Sequence, residues 1–92
     1  MKKVITEVEH NVVNIDDLNN KSIIGIKWRF NDKSFIVENK EGEFCGMNFK
    51  SLSLQGSWSA KSLHDYVTQA AEQNPEIYEF DNVVELYNWL LT

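Results

Sequence analysis

The chain has 92 residues, of which 42% are hydrophobic, 12% aromatic and 25% charged, and its formal net charge is −5. This length fits one hydrophobic core, and the composition is that of a globular protein rather than a disordered one. A single cysteine, Cys45, excludes an internal disulfide and a paired Cys/His metal site, and no apolar run is long enough for a signal segment or a membrane span. We therefore expect one cytoplasmic domain over residues 1–92, without metal or cofactor.

The first elements along the chain are short. Val4, Thr6 and Val8 recur with a period of two, which predicts a strand that ends near His10. Residues 12–15 predict a second short strand. The Asp- and Asn-rich residues 16–21 predict a turn or a single helical turn, because these side chains compete for local backbone hydrogen bonds.

Residues 22–49 carry the strongest strand signal. Alternating apolar residues predict strands over 22–30, 35–38 and 45–49, with Trp28 and Phe30 on one face of the first strand and Lys27 and Arg29 on the other. Turns are expected at residues 31–33 and 39–42, where a glycine can adopt positive φ. Tight connections of this kind predict an up-and-down antiparallel β-meander of three to five strands.

The C-terminal third predicts helices. Ser57 or Ser59 is the expected N-cap of the first, whose apolar residues recur at helical spacing from Leu63 to Ala71 and which should end before Pro75. Residues 76–80 predict a short strand. Asp81 is the expected N-cap of a last helix with an apolar face, made of Val83, Val84, Leu86, Tyr87, Leu90 and Leu91.

Together these elements predict an α+β fold, with residues 1–56 mainly β-sheet and residues 57–92 forming a helix, a short strand and a helix. Both helical stripes need a surface to cover, so we expect the two helices to pack on one face of the meander.

Charge is unevenly distributed along the chain. Residues 1–61 hold nine basic and eight acidic residues, whereas residues 62–92 hold six acids and no base. Such a segment can steer a basic protein surface by long-range attraction, and Trp is a common interface anchor. The expected partner-binding residues are Asp65, Glu72, Glu76, Glu79, Asp81, Glu85 and Trp89. The alternative interpretation is that these acids only solvate the helix surfaces.

A second functional hypothesis is binding of single-stranded nucleic acid. Its residues would be Lys27, Arg29 and Lys50, beside the aromatic residues of strand 22–30. The predicted alternation separates these cations from the aromatic rings, and the net negative charge opposes phosphate binding. Self-association through an edge strand of the meander is a third alternative.

Catalysis is the weakest hypothesis. Nucleophilic catalysis would have to use Cys45 as the nucleophile and a histidine as the base. A lone cysteine on an apolar strand face is more typical of a buried hydrophobic residue. The small size, the Asn content and the lack of catalytic motifs favour a non-catalytic interaction module, such as an accessory or inhibitor protein of a bacterium or its phage.

Overall fold

The computed structural model describes residues 1–5 and 13–92, without the side chains of residues 13 and 55–57. These ranges form strands and two α-helices, which confirms the predicted α+β class. The elements are β1 (Lys2–Ile5), β2 (Val13–Asn14), β3 (Ile23–Lys27), β4 (Lys33–Glu38), β5 (Phe44–Asn48), β6 (Leu54–Ala60), α1 (Leu63–Ala71), β7 (Glu76–Phe80) and α2 (Val83–Leu91). Short 3-10 turns occupy Ile15–Asp17 and Arg29–Asn31. The predicted extension of the first strand through Thr6 and Val8 to His10 lies outside the described residues.

The strands form one sheet with the order β2-β1-β7-β3-β4-β5-β6. Strands β3 to β6 are successive antiparallel neighbours, which confirms the predicted meander. Strand β7 pairs antiparallel with both β1 and β3, so the last strand of the sequence lies inside the sheet. Strand β2 adds a parallel pair to β1. Within the described ranges, the edges of the sheet are therefore β2 and β6.

The β4–β5 turn forms where the sequence predicts it. The side-chain oxygen of Asn39 accepts hydrogen bonds from the backbone N–H groups of Glu41 at 3.0 Å and Glu43 at 2.9 Å. Gly42 has a φ of 78°, a conformation that glycine adopts without the steric cost of a Cβ atom. Side-chain capping and one glycine thus fix the reversal between two strands of the meander.

Strand β3 ends at Lys27, although the alternation predicted a strand that continues through Phe30. The backbone N–H of Trp28 donates to the carbonyl of Asp32 at 2.7 Å, which closes the chain around the 3-10 turn. The Trp28 side chain turns inward, and its Nε1–H donates to the hydroxyl of buried Ser34 at 2.8 Å. Trp28 therefore packs on the core, whereas Phe30 is 95% exposed.

The chain from Leu54 to Ala60 is a strand, whereas the sequence predicted that a helix begins there. This segment pairs with β5, and cross-strand pairing overrides the weak local signal of its serines. The N-cap of α1 is Ser62, whose hydroxyl accepts the backbone N–H of Asp65 at 3.1 Å. The predicted boundary between residues 56 and 57 consequently lies within β6.

The helix ends show one confirmed prediction and one correction. Helix α1 ends at Ala71, before Asn74 and Pro75 as predicted, and Asn74 takes a φ of 57°. The N-cap of α2 is Asn82 rather than Asp81, because the Asn82 side-chain oxygen accepts the backbone N–H of Glu85 at 2.8 Å. Neither helix in the described part of the chain is long and apolar enough to cross a membrane.

The two helices lie on opposite faces of the sheet rather than on one. Strand β3 shows the division, since Ile24 and Ile26 pack with α1, whereas Ile23 and Gly25 face α2. The α1 layer contains the larger group of buried residues, which includes Val4, Ile15, Leu18, Ile24, Ile26, Phe44, Ala60, Leu63, Tyr66, Val67, Ala70 and Ile77. The α2 layer is smaller, with Phe80, Leu86 and Leu90 buried and Ile23, Phe35, Phe49, Tyr78 and Trp89 packed around them.

Candidate interaction surfaces

The six acids of residues 62–92 do not lie on one surface. Two lie at the ends of α1, two on β7 and two at the start of α2, on the other face of the sheet. They are Asp65, Glu72, Glu76, Glu79, Asp81 and Glu85. A single partner surface cannot contact all of them at once, so any common effect of these charges acts at long range.

Two of these acids have partners within the protein. Glu76 accepts a hydrogen bond from the Tyr78 hydroxyl at 2.7 Å, and Lys27 Nζ lies 3.8 Å from its carboxylate. The Tyr78 hydrogen bond, with smaller help from nearby lysines, lowers the pKa of Glu76. Glu85 forms an ion pair with the amino group of Met1.

Asp65 lies beside a histidine at the start of α1. His64 Nε2 is 3.0 Å from Asp16 Oδ1, and His64 Nδ1 is 3.6 Å from Asp65 Oδ1. The hydrogen bond with Asp16 and then that with Asp65 raise the pKa of His64 above its ordinary value of 6.5. This cluster links α1 to the Ile15–Asp17 turn, which is a structural role.

Trp89 packs within the α2 layer. Its ring lies against Phe80 and Tyr78, at centroid distances of 5.3 and 5.7 Å, and directly over Gly25. Lys33 Nζ lies 4.8 Å from the ring centroid and donates to the Trp89 carbonyl at 2.8 Å. Trp89 is therefore a partly buried packing residue that fixes α2 to β3 and β7.

One half of the sheet is open on the α2 side. Gly25, Phe35, Met47 and Leu54 are successive Cα partners across β3, β4, β5 and β6, so their side chains share one face. Helix α2 packs mainly over β3 and β7. Phe35 and Met47 are only partly buried and Leu54 is 60% exposed, because no described element covers β4–β6 on this side.

A flank of α2 faces this open half. Val83, Tyr87 and Leu91 follow at intervals of four residues and are 67, 53 and 59% exposed. The Tyr87 ring meets Phe49, at the end of β5, edge to face at 6.5 Å. The opposite flank carries Glu85, which pairs with Met1 beside β1. The Val83 flank therefore points toward β4–β6.

We call this surface the apolar groove. Its floor and wall are formed by Phe35, Val37, Met47, Leu54, Val83, Tyr87 and Leu91. Four of these side chains, Leu54, Val83, Tyr87 and Leu91, are more than half exposed. The sequence of α2 already indicates such a surface, because only Glu85 and Asn88 of its nine residues are polar. A helix that is apolar on most sides needs other protein surface to cover more than one of them.

The end of the groove at the start of α2 is acidic. Helix α2 begins where β7 and β4 end, because Phe80 pairs with Ile23 at the start of β3. Asp81 lies in the turn before α2. Glu43 lies at the same end, because it precedes Phe44, which pairs with Glu38 at the end of β4. The charge of Glu43 adds to the effect of burial in raising the pKa of the Cys45 thiol. A partner that fills the groove would meet negative charge at this end.

The cations of the nucleic-acid hypothesis lie around the 3-10 turn at Arg29–Asn31. Lys27 and Lys50 line one cavity of about 690 Å³. Lys27 and Arg29 line a neighbouring cavity of about 830 Å³. Phe30 borders both cavities, so the structure brings exposed aromatic surface and cations together where the predicted strand had separated them.

The buried Cys45 has the opposite of an activated environment. Burial and then Glu43 raise its pKa, which disfavours the thiolate that nucleophilic catalysis requires. His64 lies at the start of α1, where its ring nitrogens face Asp16 and Asp65, and His10 lies outside the described residues. Among the residues that the structure describes, no group of three or more His, Cys, Asp and Glu side chains could hold a metal ion.

Comparison of the chain with protein-family models, with curated proteins and with solved structures finds no match. Its function therefore has to be inferred from the two surfaces described above.

Proposed function

We propose that this protein is a small non-catalytic protein-interaction module, and that its apolar groove takes up an amphipathic helix with net positive charge from a partner protein. The observation that carries this proposal is the exposed apolar flank of α2, which faces a half of the sheet that no described element covers. Exposed apolar surface of this extent is typical of protein interaction sites.

The dimensions of the groove favour a helix. Strands β4 to β6 span two interstrand spacings, or about 10 Å, which is the diameter of one α-helix. Strand β4 has six residues, so the groove is about 20 Å long and matches roughly 13 helical residues. A helix in this position would lie beside α2 and complete the layer.

Charge favours a basic partner over a second copy of the chain. The net charge of −5 attracts a cationic helix during diffusional encounter, and the acids near Asp81 and Glu43 meet its basic residues at the groove end. Two copies would each bring a charge of −5. The dispersed acids Glu79 and Glu85 thus affect the rate of association more than the contacts of the complex.

The proposal includes a cytoplasmic location and a role as an accessory or inhibitor protein, which acts by occupying a helix that its partner uses elsewhere. The partner is defined by its chemistry, which is an apolar stripe at positions i, i+3, i+4 and i+7 beside Lys or Arg.

The test is selection of helix-forming peptides of 14–16 residues from a display library, followed by titration of the selected peptides into isotopically labelled protein. We expect chemical shift changes at the Met47 methyl group and at Leu54, Val83 and Tyr87. Leu54→Asp should weaken binding at least tenfold, since it places a charge on the apolar floor. Thr68→Asp, on the exposed side of α1, is the matched control and should leave the affinity unchanged.

The selected peptides also test how the acidic residues of the protein affect the rates of binding. The double change Glu79→Gln and Glu85→Gln should slow association without changing the dissociation rate, whereas Asp81→Asn, at the groove end, should also raise the dissociation rate. Peptides that bind equally well to Leu54→Asp, or that shift resonances on the α1 side, would overturn the proposal. Dimerisation in sedimentation experiments that Leu54→Asp abolishes would identify a second copy as the occupant instead.

A further inference from the structure

Phe30 lies at the tip of the β3–β4 hairpin, in a turn that requires positive φ at two successive residues and is closed by a hydrogen bond from the backbone N–H of Asp32 to the carbonyl of Arg29 at 3.3 Å. Its backbone is left-handed, with a φ of 60° and a ψ of 28°, and Asn31 follows with a φ of 62°. This region is unfavourable for a bulky L-residue, and Phe30 is also 95% exposed, so its ring gains nothing from burial. An exposed aromatic ring on strained backbone points to a use outside the core.

The cavity of about 690 Å³ on one side of Phe30 is basic and aromatic, and we call it the basic cavity. Three lysines line it against one acid, Asp32. The lining also has four aromatic side chains, which are Phe30, Phe49, Tyr78 and Trp89. Cations beside aromatic surfaces are what a nucleobase with its phosphate requires.

The three lysines of the basic cavity differ in the contacts that they make within the protein. Lys33 donates to the Trp89 carbonyl at 2.8 Å and to the Thr92 hydroxyl at 3.1 Å, so it completes the end of α2 and shapes the wall. Lys27 shares its charge with Glu76 at 3.8 Å. Lys50 is exposed and forms no ion pair with another described residue, which leaves its charge available for a ligand.

The net charge of the chain does not prevent an anion from binding here. Asp81 and Glu85 lie at the start of α2 and the basic cavity at its end, about 13 Å away for nine helical residues. This separation exceeds the Debye length of about 8 Å at physiological ionic strength. The acids at the cavity itself are Asp32, which lines it, and Glu76, which pairs with Lys27. The three lysines outnumber these two acids, so a phosphate in the cavity meets a net positive local charge.

We propose that the basic cavity binds a nucleotide, either free or within a single strand, with the base stacked on Phe30 and the phosphate held by Lys50 and Lys27. In a strand, the next phosphate would reach Arg29, which lines the neighbouring cavity on the other side of Phe30. Duplex nucleic acid is not a ligand, because paired bases do not present a face for stacking. This site adjoins the apolar groove, with which it shares Leu91, but neither Phe30 nor Lys50 is part of that groove.

The test is fluorescence anisotropy with labelled dT12 and rU12 at 20 mM and 200 mM KCl, with dTMP and UMP as competitors and a 12-base-pair duplex as the negative probe. We expect the single strands to bind at low salt and to weaken at high salt. Displacement by the monophosphates would show that one nucleotide fills the site. Binding of the strands alone would show that the Arg29 side is needed as well.

Phe30→Gly separates the functional role of the ring from folding. Glycine tolerates the left-handed backbone, so this variant should unfold at a higher urea concentration than the natural protein. It should nevertheless bind dT12 about fivefold or more weakly, while Phe30→Tyr keeps the affinity. Lys50→Gln should weaken binding, and Lys40→Gln, in the distant β4–β5 turn, is its charge-matched control.

The proposal is overturned if neither strand nor monophosphate binds at 20 mM KCl, if the duplex binds as well as the single strands, or if Phe30→Gly binds as tightly as the natural protein. Leu54→Asp should leave nucleotide binding unchanged, and Phe30→Gly should leave helix binding unchanged. Failure of one site is thereby distinguished from failure of the other.

Discussion

Gly25 is the position where a single methyl group should perturb the α2 layer most. A Cβ atom at residue 25 would lie 2.5 Å from Cζ3 and 3.0 Å from Cε3 of Trp89, and 2.9 Å from Cε2 of Phe80. Ordinary van der Waals contact begins near 3.4 Å. Gly25→Ala therefore requires the Trp89 ring to move by close to 1 Å.

The surroundings of Trp89 resist this movement. Its ring lies against Tyr78 and Phe80, and Lys33 holds both the ring face and the Trp89 carbonyl. Overpacking of a core costs roughly 1–3 kcal/mol, and the close approach of rigid rings places this case at about 2–3 kcal/mol. At an open strand position the same substitution would instead stabilise the protein by about 0.4–1 kcal/mol, so the sign of the effect is informative.

Urea unfolding followed by circular dichroism at 222 nm measures the free energy of unfolding. The decisive comparison repeats Gly25→Ala in a Trp89→Phe background, where the smaller ring leaves room for the methyl group. We expect the cost of the methyl group to fall by at least about 1 kcal/mol there. An equal cost in both backgrounds, or no cost in the natural protein, would refute the packing of Trp89 on Gly25.

Two further predictions concern the ends of the helices. The pKa of His64 is raised in the folded protein, so the contribution of His64 to stability is fully present below pH 6.5 and is lost as the pH rises through the folded-state pKa. Asp16→Asn should therefore flatten the pH dependence of the free energy of unfolding, measured by urea unfolding between pH 5.5 and 8.5. An unchanged pH dependence would argue against the Asp16 contact. Asn82→Ala should destabilise the protein by about 1 kcal/mol through loss of the α2 N-cap, whereas Asp81→Ala should change stability by less than about 0.5 kcal/mol. Thermal unfolding measures both variants, and a larger destabilisation by Asp81→Ala than by Asn82→Ala would identify Asp81 as the cap.

The sequence predicted the meander because its strands carry period-two alternation and its turns carry Asn and Gly. It did not predict the end of β3 at Lys27, since the Trp28–Asp32 backbone hydrogen bond and the bond of Trp28 to Ser34 are contacts that periodicity does not encode. Strand β6 was missed for a related reason, because its partner β5 supplies the hydrogen bonds that make it a strand.

The candidate sites were predictable only in part. Lys27, Arg29 and Lys50 were recognised as cations near aromatic residues, but a strand model placed the rings on the wrong side of the chain. The left-handed backbone at Phe30 is what turns its ring outward, and nothing in the residue type indicates it. The acids of residues 62–92 were read as one segment, and the position of β7 inside the sheet distributes them over both faces.

The apolar groove follows from the connections of the sheet. Strands β6 and β7 run parallel, and α1 joins them by crossing one face of the strands between. Helix α2 packs on the other face. A single helix about 10 Å wide covers roughly two strands, and α2 lies over β3 and β7, so α2 does not cover β4–β6. Because the flank of α2 toward these strands is itself apolar, this topology creates a groove that no element of residues 1–5 and 13–92 fills.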